Sequence, residues 1–597
     1  MKKLFHLFCL FLFFGHLGAD QVAPAIMPLN EIRPGMKGKG RTAFSGRQVE
    51  DFGVTIIGVM ENVEPRRNII LAELSGKGLE STGVLSGMSG SPVYIDDRLI
   101  GAVAYSFPFA RKAIAGITPI EEMLASSKKE KDFRPSGGWP LTFKPSLSFE
   151  EILELNPVLF PQLQSSSAQT KLERLEVPLI FSGFSPYLLE KKRNLFMRLG
   201  FIPVASGSAS ISSQEISSWK LQAGDPVALQ LITGDLNLSA VGTVTYVDGN
   251  RVLAFGHPLY NLGPVDYGLA TAEILTVVPS LETSFKLAKI GQTIGRFFQD
   301  RQAGAIGEIG RLPEMIPLNL NLTEDSGDYK NFRLQLVNDK ILTPLLFNLA
   351  LYSVVLSESR AYGNLTIEFH GDLYLDNGQN IHLEDLFSGN LDKAATSFAG
   401  LLASVVYYLI NNEFQEIKIT RCDLRLRTTE EMRLGTLERV WCNKYEVSPG
   451  EKIEIKVFYR TFRDESIMQK ITLTAPQLPP GSEFQLIVGD ASSMHQIELE
   501  LYRNPEFSPR NLNQLIRLLN NLRKNNRIYF KLLIPRPGIF LRGEELGSLP
   551  VTLKSMLTSP RTVSSAVAIP TSTLAEYQLP VSHAFKGLAR ISIRIKP

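Results

Sequence analysis

Between residues 30 and 125 the apolar positions come in short runs broken by glycine and turn residues. "VTIIGVM", "NIILAEL", "SPVYIDD" and "RLIGAVAY" are rich in β-branched residues and bounded by turn formers, so each predicts a strand. "TPIEEMLASSKKEK" breaks this pattern and predicts a short helix, with Thr118 as N-cap and Glu121 three residues on as a capping box. Residues 126–225 are polar or weakly patterned and read as a linker or covering region. Strands resume in "DPVALQLITGDLNLSAVGTVTYVDGNRVLAFGHP", with a turn at Asp248-Gly249-Asn250, and β character continues through 226–312.

Residues 313–420 read as an α+β unit. Strands such as "FRLQLV" and "YGNLTIEFHGDLYL" precede a helix whose Phe398, Leu401, Leu402, Val405 and Leu409 recur at helical spacing, a stripe that predicts core. From 421 to 597 the alternation predicts a β-sandwich domain. An amphipathic helix with Leu512, Leu515, Ile516, Leu519 and Leu522 on one face reads as a docked surface helix. No repeat of fixed period is visible.

A length of 597 residues allows several domains. The net charge of +3 is close to neutral, and no basic cluster interleaves with aromatics, so nucleic acid is not an expected partner. "MKKLFHLFCLFLFFGHLGAD" has Lys2 and Lys3 before an apolar run, and Ala19 before Asp20. Residues 1–19 therefore predict a secretory signal peptide, and the mature chain an exported, periplasmic or extracellular protein. The best later apolar stretch, Phe398 to Ile410, is too short to cross a bilayer, so no transmembrane segment is expected in the mature chain. Cys422 and Cys442 both lie in strand-like runs. They are either a cross-strand disulfide or two buried thiols. Neither has metal-site spacing and the remaining histidines are scattered, so no metal or other cofactor is expected.

One stretch carries candidate chemistry. In "SGMSGSPVYIDD" Ser89 sits on a tight small-residue turn. A serine hydroxyl attacks a carbonyl only if a base takes its proton and donors meet the oxyanion that forms. The backbone N–H groups of Gly87 and Ser89 are the candidate oxyanion donors. The plainer alternative is a turn before a hairpin. No histidine occurs between Asp20 and Gly256, and the first is His257, in "LAFGHPLYNLGPVDY". His370 lies in a strand, His382 precedes an acidic turn, and His495 and His583 fall in the C-terminal half. A serine–histidine mechanism therefore needs Ser89 and His257, which meet only if two β units pack together.

"GMSGSPVYIDDRLIGAVAY" followed by "AGITPIEEML" resembles the SpoIVB-type serine peptidase domain, as does the upstream "GKGRTAFSGRQVEDFGVTIIGV". "VLAFGHPLYNLGPVDYGLATAEI" is similar to the family's Gly-His segment and "GAIGEIG" to its later glycine-rich strand. The resemblance covers roughly 30–125, the serine half, and 240–310, within the histidine half. It implies a mainly β fold with two chymotrypsin-like barrels and the site between them. It also implies Ser89 as nucleophile, His257 as general base and a protein or peptide substrate. Typical members place the histidine segment before the serine; here it follows. Where the family has an aspartate upstream of the serine, this chain has Leu74 beside Glu73, and Ala104 replaces a family threonine. Asp266 and Glu73 are the candidates to orient the imidazole. The expected function is an exported serine endopeptidase. The alternative is a weak or inactive peptidase-like scaffold that binds protein or cell-envelope partners.

Overall fold

The strand-like runs of the first hundred residues close on themselves. The computed structural model describes residues 25–108, 110–127, 144–155, 172–207, 220–357, 363–502, 509, 511–541, 544–547, 549–559 and 566–597. The expected signal peptide lies outside them. Strands β1 (Lys37–Ala43), β2 (Val49–Glu64), β3 (Arg67–Ser75), β4 (Pro92–Ile95), β5 (Arg98–Ser106) and β6 (Ile114–Pro119) pair in the order β1-β2-β3-β6-β5-β4. β4 pairs back to β1, closing a six-stranded barrel. Alternate residues point inward, and Phe52, Val54, Ile70, Ala72, Val93, Val103 and Ile117 fill the interior. A two-residue strand, β7 (Glu173–Arg174), adds to the outside of β5.

The next strands are β8 (Val177–Ser182), β9 (Phe201–Ala205), β10 (Pro226–Gly234), β11 (Asn237–Asp248), β12 (Arg251–Ala254), β13 (Gly263–Val278), β14 (Phe285–Arg301) and β15 (Gly304–Ile309). Six of them close a second barrel, β10-β11-β12-β15-β14-β13, with β13 paired back to β10. Numbered from its own first strand, this barrel has the same order as the first. The fold therefore repeats a unit that the sequence pattern does not show, because topology constrains which positions face inward and not which apolar residue fills them.

Strands β16 (Met315–Glu324), β17 (Tyr329–Val337), β18 (Asn364–Leu375), β19 (Asn380–Asn390) and β20 (Ile419–Thr429) extend the second barrel through β17 on β10. With β8 and β9 on the other side they make one 13-stranded sheet. The sequence boundaries at 226 and 313 therefore do not separate units, since one sheet and one apolar core run through them. The expected linker likewise contributes β7, β8, β9 and the helix Pro186–Arg198. Two helices, Leu342–Ser357 and Leu391–Ile410, pack on each other beside β18 and β19. The second is long and apolar enough to cross a membrane, yet its side chains are mostly buried in this core. Leu434–Ile595 forms a sandwich of a 4-stranded and a 5-stranded sheet, with a 3-stranded sheet beside them. The fold class is thus the expected one: mainly β, two barrels, then a sandwich.

One open alternative is resolved and one local expectation is corrected. Cys422 lies in β20 and Cys442 in a sandwich strand; both are buried and free, so no disulfide joins them. Thr118 is not a helix cap. It lies in β6, one residue before its end, and its hydroxyl donates to the Gly256 carbonyl at 2.6 Å, from the first barrel to the second.

That contact belongs to a set that fixes the barrels against each other. Thr243 N–H donates to the Ser89 carbonyl at 2.8 Å. The Thr243 hydroxyl donates to the Gly87 carbonyl at 2.9 Å and the Thr245 hydroxyl to Gly90 at 2.7 Å. Lys286 N–H donates to the Ser86 carbonyl at 3.0 Å. The approach leaves no space at Gly90, where a Cβ would stand 2.0 Å from the Thr243 oxygen and 2.5 Å from the Phe255 nitrogen, at φ +97°. Gly90→Ala is expected to lower stability by about 3 kcal/mol or more, because two backbones must separate. Gly78→Ala, in the left-handed region at φ +83° and ψ 5° with open space around it, should cost only about 1–2 kcal/mol. Thermal melts of the two variants check this; equal losses would mean the barrels are not held this closely at Gly90.

Candidate active site

Ser89 lies between the third and fourth strands of the first barrel, and His257 between the third and fourth of the second. The shared strand order places these loops equivalently, and the inter-barrel hydrogen bonds join the serine turn to β11 and β14 and β6 to Gly256, beside His257. Gly256 makes the approach possible: a Cβ there would lie 3.2 Å from the Ala102 side chain and from the Val103 carbonyl.

The serine turn is polarised. Its carbonyls at Ser86, Gly87, Ser89 and Gly90 all accept from the second barrel. The N–H groups of Ser86, Met88, Gly90 and Ser91 are also bonded, Gly90 N–H to the Val103 carbonyl at 2.8 Å and Ser91 N–H to that of Met88 at 2.9 Å. Among the described residues no acceptor meets the N–H of Gly87 or of Ser89. In a trans peptide N–H and C=O point in opposite directions. Because the Ser86 carbonyl faces β14, the Gly87 N–H is turned away from it. These are the two N–H groups the sequence named as candidate oxyanion donors. The left-handed φ of +93° at Gly87 and +97° at Gly90 explains why glycine stands at both.

The Ser89 side chain is fully buried and its hydroxyl has no partner among the described residues. The hydroxyls of Ser86 and Ser91 share this property, so an orphaned hydroxyl alone does not single out Ser89; Ser89 is the one of the three whose own N–H also lacks an acceptor among the described residues. The His257 ring is also buried. Its Nδ1 lies 2.9 Å from the Pro258 carbonyl. A carbonyl only accepts, so Nδ1 carries the proton and Nε2 keeps its lone pair. Nε2 too has no partner, and no hydrogen bond joins it to Ser89. Burial pushes the imidazole pKa down to about 4, against the pull of the Pro258 carbonyl, and the charge of Arg174 lowers it further.

Asp266, expected to orient the imidazole, does not reach it. It accepts from Arg296 Nη1 at 3.1 Å and from the Glu314 N–H at 2.8 Å. The reason is strand parity: Val265 and Tyr267 point into the barrel, so Asp266 points out. Glu73 pairs with Lys112 on the surface. The carboxylate that serves the histidine loop is Asp300, at the end of β14. It is fully buried and accepts N–H bonds from Leu259 and Tyr260, each at 2.8 Å, and from Leu262 at 3.4 Å. Burial raises its pKa despite these donors. Asp300 holds the chain that leaves His257 and does not touch the ring. In the sequence it reads as an ordinary turn residue in "FFQDRQAG".

Lys286 was equally hidden. It is buried behind Gly87, donating from Nζ to the Thr42 hydroxyl at 2.5 Å, and burial pushes its pKa down to about 7. Among the described residues no cluster of side chains could hold a metal ion.

Two barrels of one strand order carry a serine and a histidine on equivalent loops, which defines a mainly β, double-barrel class of protein. The comparison with protein families specifies it further: the family model of SpoIVB peptidase S55 matches residues 20–124, the whole first barrel with the Ser89 turn, and supports membership of the SpoIVB-type serine peptidase family. No curated protein and no solved structure matches the chain.

Asp300→Asn replaces one acceptor oxygen by a donor that opposes the loop N–H groups. It is expected to cost about 2–3 kcal/mol and to speed amide exchange at 259–262. Asp266→Asn should change stability by less than about 1 kcal/mol. The reverse ranking would return Asp266 to the site. A second expectation concerns pH. With a folded pKa of about 4 against 6.5 unfolded, His257 binds its proton more readily in the unfolded chain. Its contribution to stability is complete above pH 6.5 and is lost as pH falls to about 4, roughly 3 kcal/mol in all. Denaturant titrations at pH 7 and pH 4.5 should show this slope in the wild type and not in His257→Gln; the same slope in both would mean the ring is solvated.

Proposed function

We propose that the chain is an exported serine endopeptidase with Ser89 as nucleophile and His257 as general base. The observation that carries this reading is the polarised serine turn, which leaves the N–H groups of Gly87 and Ser89 without an acceptor among the described residues, beside the Ser89 hydroxyl. The Nε2 lone pair takes the Ser89 proton as Oγ adds to the substrate carbonyl, and the resulting oxyanion is received by the two N–H groups. The imidazolium then gives the proton to the leaving amine. Water repeats the sequence on the acyl-enzyme and regenerates the serine. The carbonyl of Pro258 fixes the tautomer, a task a carboxylate performs in the familiar triad. A carbonyl stabilises an imidazolium less than a carboxylate does, so the dyad should be slow. Export rests on the signal-like residues 1–19.

One observation favours the alternative, a peptidase-like scaffold for protein or cell-envelope partners. Ser89 and His257 are both closed off from solvent and are not hydrogen-bonded to each other. A fluorophosphonate probe separates the two readings. Peptide mapping should locate the label on Ser89, with none on Ser89→Ala and labelling at least about 100-fold slower in His257→Ala. A label that persists in Ser89→Ala would displace Ser89 as the nucleophile. No label in a folded chain, even after the covering strand Glu173–Arg174 has been loosened, would leave the scaffold reading.

A further inference from the structure

The edge of β5 beside Ser89 carries a consequence for substrate binding. One edge of β5 pairs with β6. The other pairs with β4 as far as Ala102, where β4 begins at Pro92. Val103 then bonds to the serine turn, accepting from the Gly90 N–H and donating to the Ser91 carbonyl at 3.0 Å. From Ala104 onward this edge would stand open directly beside the nucleophile. It is filled by β7: Leu175 N–H donates to the Ala104 carbonyl at 3.0 Å, Arg174 stands opposite Tyr105, and Glu173 opposite Ser106.

The segment therefore runs antiparallel to β5 towards the serine turn, backbone to backbone, as an added peptide strand does. The Leu175 side chain is 3% exposed and belongs to the same apolar cluster as Leu85, Met88 and Val103. Arg174 lies near enough for its charge to act on the imidazole. The next peptide bond, Leu175–Glu176, is the one carried past the turn.

We propose that residues 173–175 occupy the place of the peptide substrate, which binds as an extended strand on β5 with an aliphatic side chain in the position of Leu175, just before the bond to be cut. This rests on the peptidase reading. It adds that β7 must leave before a substrate enters. The strand blocks the site without being a substrate in this arrangement. Among the described residues no acceptor lies on the N–H of Gly87 or Ser89, so the Leu175 carbonyl is not seated between them. A two-residue ladder with exposed Glu173 and Arg174 is a small element to displace.

The test uses the full chain carrying Ser89→Ala, so that binding is measured without turnover. The probe is a fluorescein-labelled peptide with the sequence of residues 172–176, Leu-Glu-Arg-Leu-Glu, read by anisotropy. Leu175→Pro removes the N–H that bonds Ala104 and should bind the peptide at least tenfold more tightly than the chain with β7 intact. Leu175→Ala keeps that N–H and loses the apolar anchor. It should show a smaller gain, and it serves if the proline variant does not fold. No gain in a folded variant would overturn the assignment. Replacing the second leucine of the probe by aspartate should weaken binding at least tenfold; equal binding would remove the aliphatic preference. Fluorophosphonate labelling of the same variants with Ser89 restored is read separately. Peptide bound but no serine labelled would end the peptidase reading and leave the groove standing. Serine labelled at an unchanged rate with no peptide bound would do the opposite.

Discussion

The structure turns on the set of carbonyls that the serine turn gives to the other barrel. Ser86, Gly87, Ser89 and Gly90 each point a carbonyl at β11 or β14, and each is met by an N–H or a threonine hydroxyl. With the acceptor side committed, the planar peptides must turn donors the other way. The interaction that joins the barrels therefore turns the Gly87 N–H away from β14, while the Ser89 N–H belongs to the peptide whose Met88 carbonyl accepts from Ser91 within the turn. Folding and site assembly are one event here: a first barrel without the second would lack the restraints that orient its turn. Gly90 shows how tight the arrangement is, since no residue with a Cβ fits between the two backbones.

The same closeness makes the site dry, and several polar groups are left in it without full compensation. Among the described residues the Ser89 hydroxyl and His257 Nε2 have no hydrogen-bond partner, and Lys286 meets the Thr42 hydroxyl and the Phe44 ring with no carboxylate beside it. An unpaired buried polar atom costs about 1–3 kcal/mol. Such a cost persists where the surrounding structure over-determines the geometry, and this is characteristic of functional sites. Burial holds the imidazole neutral and lowers the basicity of the lysine. Asp300 is the exception, a buried carboxyl with three backbone donors that sets the course of the histidine loop.

Much of the β architecture was legible because a strand announces itself by alternation and turn residues, and the glycine-flanked Ser89 and His257 stood out by local context. What failed depended on long-range geometry. Asp266 was chosen by nearness in sequence to His257, but the side-chain period of two sends it out of the barrel. Asp300 comes from a strand end 43 positions further along and has no local mark. Thr118 has the spacing of a helix cap, and only the packed barrels show that its hydroxyl bonds Gly256 instead. Of the two readings left open for Cys422 and Cys442 the structure has the buried thiols, on strands of different sheets, a choice the sequence could not make. The unit boundaries failed for a related reason: a sheet edge that pairs onward, as β10 does with β17, leaves no gap in the hydrophobic pattern.

The strand over β5 and the state of the histidine are physically coupled. An imidazolium must form in the transition state, and two features now oppose it: exclusion of water and the positive charge of Arg174. Both come at least partly from the chain near β7. Moving that strand away would hydrate the pocket and remove a like charge, so the base would strengthen as the groove opened. A substrate strand lying in the same place would close the site again, but with its own residue in the Arg174 position. If that residue is neutral or acidic, the imidazolium is less disfavoured than in the covered state. The electrostatics of the covering strand thus distinguish it from a good substrate even though its backbone geometry does not.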